Sequence, residues 1–153
     1  CFEAQLALAA ETRKPVFLHQ RDAHAEFIDV LKRHRQNLGA AVLHCFTGSE
    51  TELQDYLSLE LHIGITGWIC DERRGIHLRE LVKMIPTNRL LLETDAPYLL
   101  PRDVRPRPAH HRNEPLYLAH ISEVVAACTD KPVAQLAAET TANAQRFFGL
   151  PLV

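Results

Sequence analysis

Blocks of apolar residues along the chain alternate between strand-like and helix-like spacing. Four short apolar runs have the length of buried strands, at 15–19, 40–45, 61–66 and 89–94. Apolar residues at helical spacing predict helices at 2–12, 22–37, 50–59, 76–84, 114–128 and 132–148. Ser49 or Thr51 is the expected cap of the third helix, and Gly149 is the expected end of the last. Strands that alternate with helices predict an α/β fold with a parallel sheet and right-handed crossovers.

The number of strand–helix units bounds the architecture. Four units could form half of a (β/α)8 barrel, which needs eight units and typically about 250 residues, or a smaller open sheet. The chain has 153 residues with no internal repeat, low-complexity tract or visible domain boundary, so we expect a single domain over 1–153. It begins at Cys1, inside a helical pattern and without a cap, so we also expect it to be a fragment of a larger gene product.

Composition and charge narrow the class of protein. With 46% hydrophobic and 24% charged residues, the chain has the composition of an ordinary globular domain. A net charge of −2 provides no overall basic field, so any contact with nucleic acid has to come from a local patch. The four cysteines are widely spaced, form no C-x-x-C pair and are typical of reduced thiols in the cytoplasm. No apolar run reaches membrane-spanning length.

Three of the four strand-like runs end in a residue that can bind a metal. VFLHQR carries His19, AVLHCF carries His44, and RLLLETDAPYL carries Asp95. The carboxyl ends of parallel strands meet at one edge of a sheet, where α/β folds bind ligands. A single histidine there more often bonds a backbone carbonyl, but three such residues at equivalent positions favour a shared metal site. Imidazole with carboxylate suits zinc, manganese, iron or cobalt, and carboxylate with water suits magnesium.

The fourth run contains two acids with different expected roles. Glu93 and Asp95 lie two residues apart, so both side chains should point to the same face of an extended strand. Asp95 is nearer the strand end and is the better candidate for a metal ligand or general base. Glu93 lies one layer deeper, where it could orient a metal ligand or an arginine, or form a structural ion pair.

The segment after the fourth strand is rich in proline and arginine. It reads LPRDVRPRPAHHRNEP and leaves the same end of the sheet as Asp95. Arginine suits phosphate oxygens, and Arg21 lies at the same rim, although a solvated surface loop is an equally consistent interpretation. Trp68 follows the third strand and could stack on a base, whereas a cover over the core is the more common role. Asn113 is a candidate cap of the next helix.

Six segments of the chain resemble the TatD family of metal-dependent deoxyribonucleases, in particular its bacterial branch. They are FLHQRDAH, VLHCFTGS, IGITGWICDERRG, LLLETDAPYLLPRD, HRNEP and TTANAQRFFGL, spread over essentially the whole chain. The resemblance implies a TIM (β/α)8 barrel of the amidohydrolase type, of which this chain supplies the second half as four parallel strands with helices. It also implies hydrolysis of phosphodiester bonds in DNA, as a 3′–5′ exonuclease on single strands, with RNA as a further substrate.

The resemblance also implies roles for individual residues. His19, His44 and Asp95 are the expected metal ligands, and Asp95 also helps to deprotonate the attacking water. The positions expected to contact the phosphate backbone are Arg21, Arg112 and Asn113. The expected cofactor is one or two divalent cations, with Mg²⁺ favoured and Mn²⁺ or Zn²⁺ as alternatives. The expected partner is single-stranded DNA or a DNA end in the cytoplasm, with no membrane.

The chain departs from the family pattern in two places. Gln20 stands where the family usually has cysteine, and this neighbour of His19 should point away from the site. The family's opening H-x-H strand and its G-E-x-G-L-D segment, with a bridging glutamate, are absent from the chain. We therefore expect the N-terminal half of the barrel to be missing, together with about half of the metal ligands.

Two other functions remain open from the sequence. An amidohydrolase-like enzyme could use the same metal ligands on a small amide or ester, although the arginine-rich loop favours phosphate. Alternatively, the chain could be a catalytically incomplete fragment that acts only as a folding or binding module.

Overall fold

A computed structural model describes residues 1–151 as alternating strands and helices. The strands are β1 (Val16–Leu18), β2 (Ala41–Leu43), β3 (His62–Ile65) and β4 (Leu90–Leu92). The α-helices are α1 (Phe2–Thr12), α2 (His24–His34), α3 (Glu50–Ser58), α4 (Leu78–Leu81), α5 (Leu118–Cys128) and α6 (Val133–Phe148). Short 3₁₀ segments lie at Arg35–Asn37, Gly67–Cys70, Val82–Met84, Thr87–Arg89 and Pro115–Tyr117. The predicted order of elements is confirmed.

The four strands form one parallel sheet in the order β1-β2-β3-β4. Phe17 pairs with Val42, Val42 with His62, and Gly64 with Leu91. Each strand lies beside the next strand in the sequence, which is the arrangement of consecutive βα units in a TIM barrel. The predicted α/β class with four parallel strands is therefore confirmed, and the carboxyl ends of all four strands lie along one edge.

The helices cover one face of the sheet, where the main core lies. Alternate strand residues, such as Leu43 and Ile63, meet helix residues that include Leu6, Leu31, Tyr56, Ile121 and Leu136. Full burial of a large aliphatic side chain stabilises the fold by about 1.5–3 kcal/mol. The opposite face carries Phe17, which is 54% exposed, and also Val42 and Leu91, which pack on Phe147 of α6.

The helix ends follow local rules. Ser49 caps α3 by accepting a hydrogen bond from the N–H of Glu52, whose side chain binds the Ser49 N–H in return. Gly149 ends α6 with φ 64°, a left-handed conformation that favours glycine. Both predicted helix ends are confirmed. Within residues 1–151, none of the helices combines the length and the hydrophobicity that crossing a membrane requires.

The predicted helix at 76–84 begins two residues later in the structure and is α-helical over only part of its length. Only Leu78–Leu81 is α-helical, and Val82–Met84 continues as a 3₁₀ helix. Leu78, Leu81 and Val82 are buried, so the apolar spacing reflects packing on the core. Ile85 is extended, with φ −76° and ψ 122°, because the residue before Pro86 is disfavoured in a helix.

His62 should make the fold sensitive to acid. Its ring centroid lies 5.1 Å from that of Phe147, and burial lowers the pKa of His62 below its ordinary value of 6.5. Just below pH 6.5 the unfolded chain therefore binds more protons than the folded chain, so the free energy of unfolding falls as the pH falls. We expect His62→Gln to reduce this slope by at most about 1.4 kcal/mol per pH unit, measured by urea unfolding. The exposed His77→Gln is the control, and an equal slope in both variants would contradict the prediction.

Candidate metal centre

His44 lies at the carboxyl end of β2, directly after the strand. Its backbone N–H donates a hydrogen bond to the carbonyl of Leu18, which continues the pairing with β1. Its imidazole lies between two carboxylates: Nδ1 is 2.9 Å from Oε2 of Glu93, and Nε2 is 3.1 Å from Oδ1 of Asp95. Both acids follow β4 and face His44, so the prediction that they point to the same side is confirmed. Residues from two strand ends thus meet across β3.

The carboxylate of Glu93 is held in place by its surroundings. Oε2 accepts hydrogen bonds from Nδ1 of His44 and from the backbone N–H of Cys45, which is 3.1 Å away. The carboxylate lies over Gly64 of β3, where an added Cβ would overlap it. The missing side chain of Gly64 thus lets the carboxylate of Glu93 lie directly against the backbone of β3. Oε1 of Glu93 is buried without a hydrogen-bond partner among residues 1–151, which leaves an acceptor available to a ligand.

Cys45 is a potential metal ligand that the sequence patterns did not indicate. Its Sγ lies within 4.8 Å of potential ligand atoms of His44 and Asp95. The backbone of Cys45 has φ 52°, which ends the alternation of β2 and lets His44 and Cys45 both approach the site. Sγ lies 3.3 Å from Oγ1 of Thr66, and burial raises the pKa of Cys45 to about 12. The thiol is therefore protonated at neutral pH. In the sequence, the only sign that Cys45 could lie at the site is that it directly follows His44.

His19 lies beside this group and is less tightly integrated. Its ring centroid is 5.9 Å from that of His44, and its side chain is exposed after β1. The ligand atoms that lie within 4.8 Å of one another come from His44, Cys45 and Asp95, without His19. The structure therefore brings two of the three predicted ligands into direct contact and leaves the third at the rim of the site.

The donor set of the site fits a divalent cation. A proton on Nδ1 of His44, shared with Glu93, leaves the lone pair of Nε2 for a metal beside Oδ1 of Asp95. The hydrogen bond with Glu93 raises the pKa of His44, while burial acts in the opposite direction. Imidazole nitrogen with carboxylate oxygen suits Zn²⁺ or Mn²⁺, and carboxylate with water suits Mg²⁺.

Trp68 lies in the 3₁₀ segment after β3, at the rim where the loop after β4 passes. Its ring is half-buried on the core, and the guanidinium carbon of Arg74 lies 5.6 Å from the ring centroid. Trp68 lines a cavity of about 180 Å³ together with Leu99 and Arg102. An added Cβ at Gly67 would lie 2.6 Å from the carbonyl oxygen of Leu99, so glycine permits this close approach of two segments. Trp68 thus covers part of the core and also lies at the rim beside the loop after β4.

Four of the arginines at this rim fall into two groups. Arg102 pairs with two acids, Asp71 at 3.6 Å and Glu72 at 3.4 Å, and Arg105 donates to backbone carbonyls of its own loop. These two arginines hold the loop together. Arg21 and Arg112 have exposed side chains and can meet an anion from solvent.

A family model described as TatD-related DNase matches residues 1–149. The chain belongs to the TatD-related DNase family. One curated relative of this TatD-family chain, the 3′-5′ ssDNA/RNA exonuclease TatD of Klebsiella pneumoniae, is 60% identical over 97% of this chain and 57% of its own length. The protein of the same name from Erwinia amylovora is 62% identical over 97% of this chain and 58% of its own length. The chain thus spans a little more than half the length of these relatives.

Solved structures share the fold of this TatD-family chain. A TatD homologue from Escherichia coli K12 is 31% identical, with a TM-score of 0.82 over 96% of this chain and 54% of that one. An uncharacterized amidohydrolase from Saccharomyces cerevisiae is 25% identical, with a TM-score of 0.81 over 96% of this chain and 58% of that one. The predicted TIM-barrel α/β class is confirmed.

Asn113 is buried in this TatD-family chain, with 1% of its surface exposed. Its Nδ2 donates to the carbonyls of Tyr98 at 2.6 Å and Leu99 at 3.3 Å, and its Oδ1 accepts from the N–H of Glu114 at 2.9 Å. Its backbone N–H donates to the carbonyl of Pro97 at 3.0 Å. Because these contacts occupy the amide, the structure assigns Asn113 to closing the loop rather than to the expected phosphate contact.

Asn113→Ala is expected to lower the free energy of unfolding by about 2–3 kcal/mol. The substitution removes the donor that the carbonyls of Tyr98 and Leu99 share, and it leaves a small cavity. Urea unfolding measures the change, with the exposed Asn88→Ala as the control. A loss below about 0.5 kcal/mol, as for an ordinary surface substitution, would contradict the role given to Asn113.

Proposed function

We propose that this chain is part of a metal-dependent nuclease that hydrolyses phosphodiester bonds in DNA. We further propose 3′–5′ exonuclease action on single strands, with RNA as a further substrate. The observation that carries the proposal is the imidazole of His44 held between Glu93 and Asp95, at 2.9 Å and 3.1 Å, on the edge where parallel strands end. The name 3′-5′ ssDNA/RNA exonuclease, which the relatives from Klebsiella pneumoniae and Erwinia amylovora carry, supports the substrate class.

The proposed metal ligands from this chain are Asp95, His44 and His19. They hold one or two divalent cations, with Mg²⁺ favoured and Mn²⁺ or Zn²⁺ as alternatives. When bound, such a cation polarises a phosphoryl oxygen and lowers the pKa of a water molecule. The 5.9 Å between the ring centroids of His19 and His44 supports the inclusion of His19, because imidazoles that share an ion lie side by side.

Two residues of this chain then have separate roles: one orients the ligand His44, and the other accepts the proton of the attacking water. Glu93 keeps Nδ1 of His44 protonated and the ring fixed, so that Nε2 is presented to the ligand side. Asp95 receives the proton of the attacking water, since its carboxylate lies at the strand end next to Nε2. The buried thiol of Cys45 takes no part as a nucleophile, because its pKa is raised.

The rim supplies the contacts to the polynucleotide in this proposal. Arg21 and Arg112 are exposed and pair with phosphates on either side of the scissile bond. Trp68 stacks on a base near the end of the strand, which is supported by its half-buried ring beside Arg74. Such stacking is tolerant of sequence because every base has a π-face.

Further strands of the same barrel complete the site in this proposal. Within residues 1–151 the sheet ends at β1 and β4, and the chain covers 57% and 58% of the two named relatives. The remaining metal ligands then come from those further strands, next to His19 on one side and Asp95 on the other.

The compartment in this proposal is the cytoplasm. It is supported by the four cysteines, whose thiols are unpaired among residues 1–151.

The proposal is tested with a single-stranded oligonucleotide labelled at its 5′ end. The protein with the complete barrel should shorten the strand from its 3′ end in the presence of Mg²⁺ or Mn²⁺, and a chelator should stop the reaction. A p-nitrophenyl ester tests the amidohydrolase alternative in parallel. Faster turnover of the ester than of DNA would overturn the nuclease assignment. Full activity of residues 1–153 alone would overturn the need for further strands.

A further inference from the structure

A second group of potential metal ligands shares no residue with the candidate metal centre. Cys70 ends the 3₁₀ segment Gly67–Cys70, Asp103 belongs to the loop after β4, and His120 lies on α5. One potential ligand atom from each residue lies within 4.8 Å of the other two. Segments far apart in sequence thus bring a thiol, a carboxylate and an imidazole to one point.

We propose that Cys70, Asp103 and His120 bind one borderline-soft divalent cation of the class of Zn²⁺ or Co²⁺. Such ions take thiolate sulfur, imidazole nitrogen and carboxylate oxygen as tetrahedral ligands, at about 2.0–2.3 Å. Water fills the fourth position, as in other sites with three protein ligands. On binding, a sulfur–metal bond replaces the S–H bond of Cys70, and the thiol proton passes to solvent.

Neighbouring charges already orient the ligand atoms of this group. Nε2 of His120 lies 2.6 Å from Oδ1 of Asp103, so the two ligand atoms face each other and have to separate slightly when a tetrahedral cation replaces the proton between them. The other ring nitrogen, Nδ1, lies 3.8 Å from Oε2 of Glu123, so this acid adds a negative charge beside the imidazole without a hydrogen bond to it. Oδ2 of Asp103 lies 3.9 Å from Nη2 of Arg79, which leaves Oδ1 as the oxygen that faces the ion.

The group is closed to solvent on the side of Cys70 and open to solvent on the side of His120 and Asp103. Cys70 is fully buried, whereas the side chains of His120 and Asp103 are 26% and 35% exposed. An ion can therefore enter from solvent past the imidazole and the carboxylate and meet the sulfur beneath them. The histidine–aspartate pair alone would be an ordinary ion pair, and the thiol is what favours a softer cation.

The ion would fasten the loop after β4 to the helical layer. Asp103 lies in the same loop as Arg112, and His120 lies on α5, which packs against the 3₁₀ segment that carries Cys70. The site does not depend on the proposed nuclease activity.

Titration of the metal-free protein with Co²⁺ tests the proposal. Thiolate ligation gives an intense sulfur-to-cobalt absorption band in the near ultraviolet, which a histidine–carboxylate site lacks. We expect this band to be displaced by Zn²⁺, and to saturate at one equivalent of Co²⁺ in the His44→Asn protein, in which the candidate metal centre has lost a ligand. We expect Cys70→Ala to abolish the band, and His120→Gln to weaken Co²⁺ binding by at least about tenfold.

Two controls separate this site from the candidate metal centre. Cys45→Ala removes the thiol beside His44, and His44→Asn removes a ligand of that centre, and both should keep the band. Circular dichroism checks the fold of each variant, and His120→Gln decides the outcome if Cys70→Ala does not fold. Absence of the band from the wild-type protein, its loss in Cys45→Ala, or unchanged Co²⁺ affinity in His120→Gln would overturn the proposal.

Discussion

Replacing Asp95 by asparagine is expected to lower kcat for cleavage of single-stranded DNA by about 10²–10⁴-fold. Asparagine keeps the size of the side chain, but it cannot accept the proton of the attacking water, and its neutral oxygen is a weaker ligand for a divalent cation. Asp95 lies 3.1 Å from Nε2 of His44, so both losses fall at the same point of the site. The measurement is the initial rate of nucleotide release at saturating Mg²⁺.

The matched control for this prediction is Asp130→Asn. Asp130 is exposed, and its φ of 53° is one that asparagine adopts readily. The control should keep the wild-type kcat. Binding of an uncleaved strand to the Asp95→Asn protein, measured by fluorescence anisotropy, should change little because Arg21 and Arg112 remain. An unchanged kcat in Asp95→Asn would contradict the proposed role of this carboxylate.

Gly64→Ala is expected to weaken metal binding and activity by about 10–100-fold, although it adds only a methyl group outside the ligand set. The new Cβ would occupy the space of the Glu93 carboxylate, so Glu93 would have to move. His44 would then lose the hydrogen bond that fixes its ring and its tautomer. Calorimetric titration with Mn²⁺ measures the affinity, and kcat/KM for DNA measures the activity.

Gly39→Ala is the control for the added methyl group. No atom outside its immediate chain neighbours lies within 4 Å of a Cβ built on Gly39. Glu93→Gln provides a second comparison, because it removes the charge and keeps an acceptor for His44 and Cys45. It should therefore cost less than Gly64→Ala. Wild-type affinity for Mn²⁺ in a folded Gly64→Ala protein would contradict the role given to Glu93.

Much of the fold could be predicted from local patterns. The apolar runs mark all four strands to within about two residues, because buried parallel strands have few polar positions. The caps at Ser49 and Gly149 depend only on nearby backbone groups. The segment 76–84 could not be predicted in the same way. Its apolar spacing is helical, but the turn before Pro86 and packing on the core limit the α-helix to Leu78–Leu81.

The candidate site was predictable where it depends on strand ends, and less so where it depends on contacts between segments. His44 and Asp95 could be proposed because each follows an apolar run that stops at the same edge of the sheet. Two other features depend on β2, β3 and β4 lying side by side, which the sequence of each strand does not show. They are the position of Glu93 over Gly64 and the approach of Cys45 to His44 and Asp95. The burial of Asn113 depends on how its loop folds back, so its sequence context suggested a different role.

A crystal soaked with Mn²⁺ and measured near the manganese absorption edge tests the central claim most directly. The claim is that His44 and Asp95 hold a divalent cation while Glu93 holds His44. It predicts an anomalous peak at about 2.0–2.3 Å from Nε2 of His44 and from an oxygen of Asp95, with Glu93 still on Nδ1. A peak that contacts neither residue, in a protein that Mn²⁺ activates for DNA cleavage, would contradict the claim.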